Sequence, residues 1–438
     1  MTDVLDVLIV GGGPVGGAAA ALLARATRND RVPLRVAVLE PRRAPPWVAN
    51  APLDLRVSAF SRASERVLDA AGAWSAISAQ RVSPYERMRV WHESVAPTSA
   101  DALVFDAAEV GEPNLGYIIE TRLVQNALLD AAEEAGALVV RAEFRGLSIG
   151  EDYVRVDTIG GGGSDSTTDA VADTTGGSAA VLNARLVVGA DGAQSAVRAA
   201  VGLTAETSGY QQTAIVANVA TEKSHSHTAW QRFLRTGTLA FLPLADGTSS
   251  IVWSADENVA KTLLAASPEQ FAQELNTASD FALGGTRLVS ERVSFPLRRL
   301  AAHRYVAHRC ALVGDAAHVV HPLAGQGVNL GLLDAAALVE QVVAARRERE
   351  DPGALRVLRR YERWRKTEAQ MMSAAIDTFD RLLAHGTGPL ARVAQQGLGW
   401  VNRSPEIKRV FIRRALGIAG ELPAVARVRP AAVNSRSG

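Results

Sequence analysis

At 438 residues, 47% of them hydrophobic, the chain is too long for one simple core, and 47 Lys+Arg against 46 Asp+Glu leave no global field to attract nucleic acid. A single cysteine, Cys310, excludes an intramolecular disulfide and any cysteine-based metal cluster, and no metal site is expected. The N-terminal apolar stretch carries Asp3 and Asp6 where a secretion signal needs basic residues, and Gly11 to Pro14 break it, so a cytoplasmic protein without a transmembrane span is expected.

Residues 4 to 10, VLDVLIV, read as a buried strand, and GGGPVGGAAAALLARA follows at once, so that Gly11, Gly13 and Gly16 complete a GxGxxG pattern between a strand and a helix. The first glycine permits the tight turn, the second lets backbone approach a pyrophosphate, and the third lets helix and strand pack closely. The next strand, LRVAVLE, ends at Glu40, placed to accept hydrogen bonds from an adenosine ribose. A glutamate there, instead of a basic residue, favours an unphosphorylated ribose, as in FAD or NAD.

Arg56 and Ser58 precede an amphipathic helix from about Ser61 to Ala71. Arg56 fits both a phosphate or flavin contact and a solvated loop. Strands are expected in MRVWHES and ALVFD, then a turn and a strong helix capped at Thr121 in LGYIIETRLVQNALLDAAEEAG. Arg122, in the first turn of that helix, opposes the helix dipole, and a nearby anion such as a pyrophosphate would explain it. The Gly-, Ser-, Thr- and Asp-rich stretch between Val154 and Val181 reads as a flexible hairpin extension. Its glycines are not a phosphate loop, because no Gly-Lys-Ser/Thr and no helix follow. A strand then ends in GADG, where Asp191 suits either a ligand-facing carboxylate or a plain Asp-Gly turn.

From Gln211 to Phe295 the pattern changes to alternating strands with a helical insertion near Pro268 to Ala278, the signature of a separate antiparallel sheet. Phe233, Phe241, Trp253 and Phe295 are candidates for an apolar wall, although strand aromatics more often fill cores. His225 and His227 lack a third ligand at metal-site spacing and read as a polar loop. The stretch CALVGDAAHVVHPLAGQGVNLGLLD, residues 310 to 334, organises the rest. A buried strand stops at Gly314, Asp315 offers a carboxylate to a sugar hydroxyl, and an irregular segment with Pro322, Gly325 and Gly327 leads into a helix from about Asn329 with a positive N-terminus. Beyond it the chain is helical: one helix to about Arg349, another from Pro352 through Gln370, a third through His385. The basic run RVLRRYERWRK suits a solvated face or an anionic lipid surface.

Together GxGxxG, strand-GADG and GD...P..GQG resemble the flavoprotein aromatic hydroxylases of the p-hydroxybenzoate hydroxylase superfamily, over nearly the whole chain. DLRVSAFS, LGYIIETRLVQNALL, LAFLPLADGTSSIVWS and HPLAGQGVNLGLLD look like the branch that hydroxylates prenylated phenols in ubiquinone biosynthesis. The resemblance implies an α/β (α+β) fold, a Rossmann-like FAD-binding domain interleaved with an antiparallel-sheet substrate domain and followed by C-terminal helices. The FAD domain would comprise 1–75, 117–198 with a flexible insertion at 158–180, and 300–345; the substrate domain 76–116 and 199–299; helices 346–420; and a disordered tail 421–438. Gly11, Gly13, Gly16 and Glu40 would hold the ADP half of FAD, and Asp315 its ribityl or pyrophosphate region. Pro322, Gly325, Gln326, Gly327, Val328 and Asn329 would border the isoalloxazine. Arg56 and Arg122 match arginines near the flavin, and Asp191 lies in a motif linked to both FAD and NAD(P)H. Phe241, Trp253 and Phe295 would line the substrate side.

The implied chemistry is reduction of FAD by NAD(P)H, capture of O2 as a flavin C4a-hydroperoxide, and oxygen transfer to an electron-rich ring carbon. His321, before Pro322, is the candidate to polarise the phenol, with a structural histidine bonding loop backbone as the other reading. With one GxGxxG, NAD(P)H has no domain of its own and is a transient electron donor. A prenylphenol and O2 are the expected partners, with peripheral membrane or quinone-synthesis complex contact and oligomer formation left open. The alternatives are an isoprenoid reductase or epoxidase and an FAD-binding scaffold.

Overall fold

The structure, a computed structural model, describes residues 4–48, 51–160, 179–322, 325–384, 397 and 399–428. The β-branched run Leu5–Val10 is buried along almost its whole length, as a strand in the middle of a parallel sheet must be. It pairs in parallel with Ala179–Gly189 on one side and Val36–Leu39 on the other. Leu138–Val140 and Cys310–Leu312 continue the parallel ladder outward. The alanine- and glycine-rich helix Pro14–Thr27 packs against both Thr121–Glu134 and Gln326–Arg347, its small side chains allowing close approach. Val154–Gly160 and Ala179–Gly189 form an antiparallel hairpin, Thr158 opposite Ala180; the glycine-rich residues 161–178 lie outside the described residues.

Among the described residues the second sheet has nine strands and is built around Ala205–Thr221, a strand of 17 residues that pairs with both Ser249–Asp256 and Val293–Ala302. The helices Glu257–Ala265 and Pro268–Ser279 cover one face, burying Phe271, Leu263 and Leu275 against Ile215, Leu239, Phe241, Ile251 and Trp253. A register shift between Gly209 and Thr213, with Gln211 at φ 57°, bulges the long strand. A third, three-stranded sheet joins Val57–Ser61, Gly116–Glu120 and Ser83–Tyr85.

One connection matters most for the site. Leaving the parallel sheet at Leu312, the chain turns at Gly314 (φ +59°) and enters the second sheet at His318–Val319, opposite Ala301 and Leu300. The GD segment is thus hydrogen-bonded into both sheets.

Three expectations need correction. Leu355–Phe379 is one helix of 25 residues, with no proline or glycine to end it near Gln370. The helix after Gly116–Glu120 is capped at Glu120, not Thr121, and no side chain supplies the cap bond. Residues 421–428, expected within a disordered tail, are ordered: Ala424 N–H donates to Glu340 Oε2 at 2.8 Å, Trp364 Nε1 donates to Glu421 O at 3.0 Å, and Ala426 is buried. Residues 429–438 lie outside the described residues. Gln326–Arg347 is long and apolar enough to cross a membrane by length and composition, but 78% of its most apolar window is buried in the protein, as for a core helix.

Candidate functional site

Gly11 sits at φ +102°, and a Cβ there would lie 2.5 Å from Ala190 O; one on Gly16 would lie 1.9 Å from Gly11 O. No other residue type fits either position. At Gly13, by contrast, a Cβ would meet nothing within 4 Å, so the loop is open on that side. Gly13 is also the cap of the helix Pro14–Thr27, which has no side-chain cap and no acidic residue in its first turn. The positive helix end therefore lies at a loop with space beside Gly13, an arrangement suited to a phosphate. Glu40 arrives at the same loop: its Oε2 accepts Gly12 N–H at 2.8 Å, and its Oε1 accepts Arg42 N–H at 3.1 Å. Asp191 touches the loop from the GADG turn, its Cα 3.0 Å from the position of a Gly11 Cβ. Its Oδ2 accepts Val197 N–H at 3.0 Å, while its buried Oδ1 has no partner among the described residues. The structure thus brings Gly11, Gly13, Gly16, Glu40 and Asp191 together, and these residues fit a dinucleotide: small residues for approach, a helix N-terminus for phosphate, a carboxylate for ribose.

Beside them lies the GD turn. Asp315 is exposed, and the protein crowded around its carboxyl raises its pKa, opposed by His318. Behind Asp315, the fully buried Asp334 accepts three donors: Gly314 N–H at 3.2 Å and His318 Nε2 at 2.5 Å on Oδ2, and Arg365 Nε at 2.8 Å on Oδ1. Burial pushes the Asp334 pKa up, but His318 and Arg365 outweigh it and hold the carboxyl below its ordinary value. Cys310, wholly buried in the adjacent strand, has its thiol pushed up to about 12 by desolvation and is inert packing.

The helix Gln326–Arg347 starts at Gly325, φ +63°, close against Ala59. Gln326, Gly327 and Val328 lie in its half-buried first turn, and Gly325 N–H closes the turn onto Pro322 O at 3.0 Å. Asn329 differs from the expectation. Its Nδ2 donates to Ala59 O at 2.8 Å and Gly325 O at 2.9 Å, and its Oδ1 accepts Ser61 N–H at 2.8 Å and Ser64 Oγ–H at 2.6 Å. Two donors and two lone pairs are all used, so its side chain fixes the helix start and has nothing left for a cofactor. Arg56 is exposed, and its carbonyl accepts Thr121 N–H at 2.9 Å, which sets it beside Arg122. Arg122 has an acid nearby: Asp54 Oδ2 lies 3.9 Å from its Nε, a loose ion pair beyond hydrogen-bond distance that leaves room for a second anion at the helix start.

His321 is 1% exposed, at the junction of the two sheets. Its Nε2 lies 3.1 Å from Gln212 Oε1, and its ring meets Tyr210 edge-on at 4.8 Å. The bulge at Gln211 is what turns Gln212 toward it. Tyr210 in turn donates to Asp377 Oδ1 at 2.7 Å, tying the junction to the helix Leu355–Phe379.

The apolar wall was misassigned in part. Phe241 and Trp253 pack under the two covering helices, Trp253 with its ring 6.0 Å from Phe271, and so belong to the core behind the sheet. Side chains alternate along strands, so the opposite face carries Ala214, Val216, Ala240, Val252 and Leu242. Leu242, like Leu53, Val57 and Tyr85, packs against the buried cluster of Ala59, Ile118 and Leu244. Phe295, opposite Ala214, is on that face, 45% exposed. His225 and His227 form a local turn, His227 N–H donating to His225 Nδ1 at 3.3 Å, and no group able to hold a metal occurs among the described residues. The reading of the residues missed Asp334, Arg365, Gln212 and the Ser61/Ser64 pair. Only Asp334 left a signal, an acid inside the apolar run LGLLDAAALV of its helix.

A model of the FAD binding domain family matches residues 4–375. The chain is 39% identical over 414 residues to the ubiquinone hydroxylase UbiL of Rhodospirillum rubrum, covering 94% of this chain and 90% of that protein. It is 34% identical over 415 residues to the 3-demethoxyubiquinol 3-hydroxylase of Escherichia coli (94% and 98%), and 31% identical over 439 residues to the mouse mitochondrial ubiquinone biosynthesis monooxygenase COQ6 (92% and 89%). Among solved structures, p-nitrophenol 4-monooxygenase from Pseudomonas putida superposes with a TM-score of 0.72 at 20% identity, covering 95% of this chain and 99% of that one; at that identity the likeness speaks for the fold. With a family match across most of its length and full-length relatives above 30% identity, this chain belongs to the FAD binding domain family and is an FAD-dependent monooxygenase.

Proposed function

We propose that this monooxygenase hydroxylates the aromatic ring of a prenylated phenol on the route to ubiquinone. Three full-length relatives, from Rhodospirillum rubrum, Escherichia coli and mouse, carry names that place them in ubiquinone chemistry. The observation that carries the reading for this chain is the GD segment, which runs from the dinucleotide-binding sheet into the second sheet and ends at His321. A ring bound against the second sheet would then lie beside a flavin held by the first, which supports the reading.

When bound, FAD supplies electron transfer from NAD(P)H and activation of O2. The chain's own residues position and exclude. Gly11, Gly13 and Gly16 admit the pyrophosphate to the helix N-terminus, and Glu40 accepts from the adenosine ribose. Asp315 would hold the ribityl or pyrophosphate region, Pro322, Gly325, Gln326, Gly327 and Val328 would border the ring system, and Arg56 and Arg122 would supply positive charge near it. The face of Ala214, Val216, Ala240 and Val252 gives the substrate a dry wall, with Phe295 at its edge. A phenol with pKa near that of tyrosine is about three units from ionising at neutrality, about 4 kcal/mol. His321 is the residue assigned to that cost: it is buried at the junction of the two sheets, with its Nε2 3.1 Å from Gln212 Oε1, and its imidazole is the group proposed to polarise the phenol.

The chain divides, in this reading, into an FAD domain (1–75, 117–198, 300–345), a substrate domain (76–116, 199–299) and C-terminal helices. The last of these present Trp400 and Val410, 59% and 63% exposed, beside the exposed Arg403, Arg409 and Arg413, a combination suited to the surface of an anionic membrane from which a prenylated substrate would come.

The test is disruption of the gene and mass spectrometry of the lipid extract. Accumulation of a prenylphenol one oxygen short of the next quinone intermediate supports the reading, and its position names the carbon hydroxylated. An unchanged lipid profile in a strain without a second hydroxylase of this kind removes ubiquinone from it.

A further inference from the structure

We propose that Asp334, which lies behind the cofactor recess, is a positioning residue for FAD: it fixes the GD turn and so the direction of Asp315. The proposal rests on the assignment of Asp315 to the cofactor. Three observations carry it. Asp334 is fully buried, and its Oδ2 accepts both Gly314 N–H at 3.2 Å and His318 Nε2 at 2.5 Å, the residues on either side of Asp315–Ala317. One oxygen therefore clamps both ends of the turn. Gly314 is at φ +59°, a conformation that needs external support to be a unique one, and the helix bearing Asp334 comes so close that a Cβ on Gly331 would lie 3.2 Å from Gly314 Cα. Finally, Arg365 balances the carboxylate: its Nε donates to Oδ1 at 2.8 Å, and Arg365 is itself 1% exposed. The charge of Asp334 is thus satisfied within the protein, and its second oxygen is committed to the turn.

The short His318 contact requires a proton on Nε2, so Asp334 also sets the tautomer of His318, whose Nδ1 is buried without a partner among the described residues. Tyr305 packs against that ring at 5.8 Å and Tyr361 donates to Leu312 O at 2.7 Å, so the turn is backed on each side by buried groups. A turn held this way presents Asp315 in one orientation before the cofactor arrives, and the ordering cost is not charged to binding.

The experiment is titration of the flavin-free protein with FAD, followed by flavin fluorescence, at a temperature where circular dichroism shows every variant folded. Asp334→Asn keeps the shape and loses the charge; His318→Gln leaves the Asp334–Arg365 ion pair intact and serves if Asp334→Asn does not fold. Leu332→Ala, fully buried on the same helix and supplying none of the turn's hydrogen bonds, reports the effect of lost stability. Asp334→Asn is expected to raise the FAD Kd at least tenfold and His318→Gln at least threefold, with a changed visible circular-dichroism band of the bound flavin. Leu332→Ala should lower Tm and leave Kd within twofold. A Kd within twofold of wild type in His318→Gln, or an equal rise in Leu332→Ala, overturns the proposal. Asp315→Ala in the same titration separates the two layers: an unchanged Kd there removes the assignment of Asp315, whereas loss of affinity in Asp315→Ala with none in the Asp334 and His318 variants removes only the clamp.

Discussion

Asn329 and Ser61, separated by 268 positions in sequence, are joined by a 2.8 Å hydrogen bond from the Ser61 backbone N–H to Asn329 Oδ1. The bond locks the first turn of the helix Gln326–Arg347 to the end of the strand Val57–Ser61, and Ser64 Oγ–H on the same oxygen and Ala59 O on Nδ2 complete the lock. Asn329→Ala leaves several buried polar groups without partners, each costing about 1–3 kcal/mol, so a loss of about 2–4 kcal/mol overall is expected after relaxation. Urea denaturation measures it. A loss under about 0.5 kcal/mol would show that water replaces the side chain, and that the lock is weak.

Glu40 meets the glycine loop through Gly12 N–H, in the place where an adenosine ribose is assigned. Glu40→Arg puts a cation on that backbone donor and removes the acceptor, and FAD content after purification should fall about tenfold or more, the loss of one charge-assisted hydrogen bond. Retention of full flavin content would end the ribose assignment.

For His321 the decisive comparison is between two half-reactions. On the proposed role, in which the imidazole bonded to Gln212 serves the phenol, His321→Ala should slow hydroxylation by about tenfold or more while flavin reduction by NAD(P)H changes little. Stopped-flow traces of each half-reaction report the split. Equal loss in both would make His321 a structural residue of the loop.

The depressed pKa of Asp334 has a sign. Desolvation opposes ionisation, His318 and Arg365 favour it, and the net folded value lies below the unfolded one. The unfolded state therefore binds more protons as pH falls, and the stabilisation is present above the unfolded pKa of about 4 and is lost as pH drops through the folded pKa. Denaturation midpoints at pH 7, 5, 4 and 3 should fall more steeply below pH 4 for the wild type than for Asp334→Asn. Parallel profiles would place the acid sensitivity elsewhere.

At the C-terminal surface, replacing Arg403, Arg409 and Arg413 together by Glu should reduce sedimentation with anionic vesicles by tenfold or more, given about 1 kcal/mol per basic residue near such a surface. Neutral vesicles serve as the control. If wild type and variant sediment alike, that face does not read lipid charge.

The local signals in this chain were strong where the backbone alone sets the requirement. GxGxxG between a strand and a helix is legible because Gly11 and Gly16 sit where a Cβ would strike carbonyl oxygens, a constraint that acts within a few residues. Glu40 and Asp191 followed from their places at strand ends. The aromatic wall failed because period-two alternation names two faces without saying which one a helix will cover; Pro268–Ser279 covers the face of Phe241 and Trp253. The acid beside Arg122 was not legible, because Asp54 is 68 positions away in sequence and its approach to 3.9 Å is tertiary.

By itself, then, the amino-acid order determined the dinucleotide loop, the alternation of parallel and antiparallel segments and the GD turn, all of which rest on short-range sterics and side-chain periodicity. Only the tertiary structure decided what closes around them. A buried carboxylate needs its donors in three dimensions, so Asp334 acquires its meaning from Gly314, His318 and Arg365, brought to one point by the packing of Gln326–Arg347 and Leu355–Phe379.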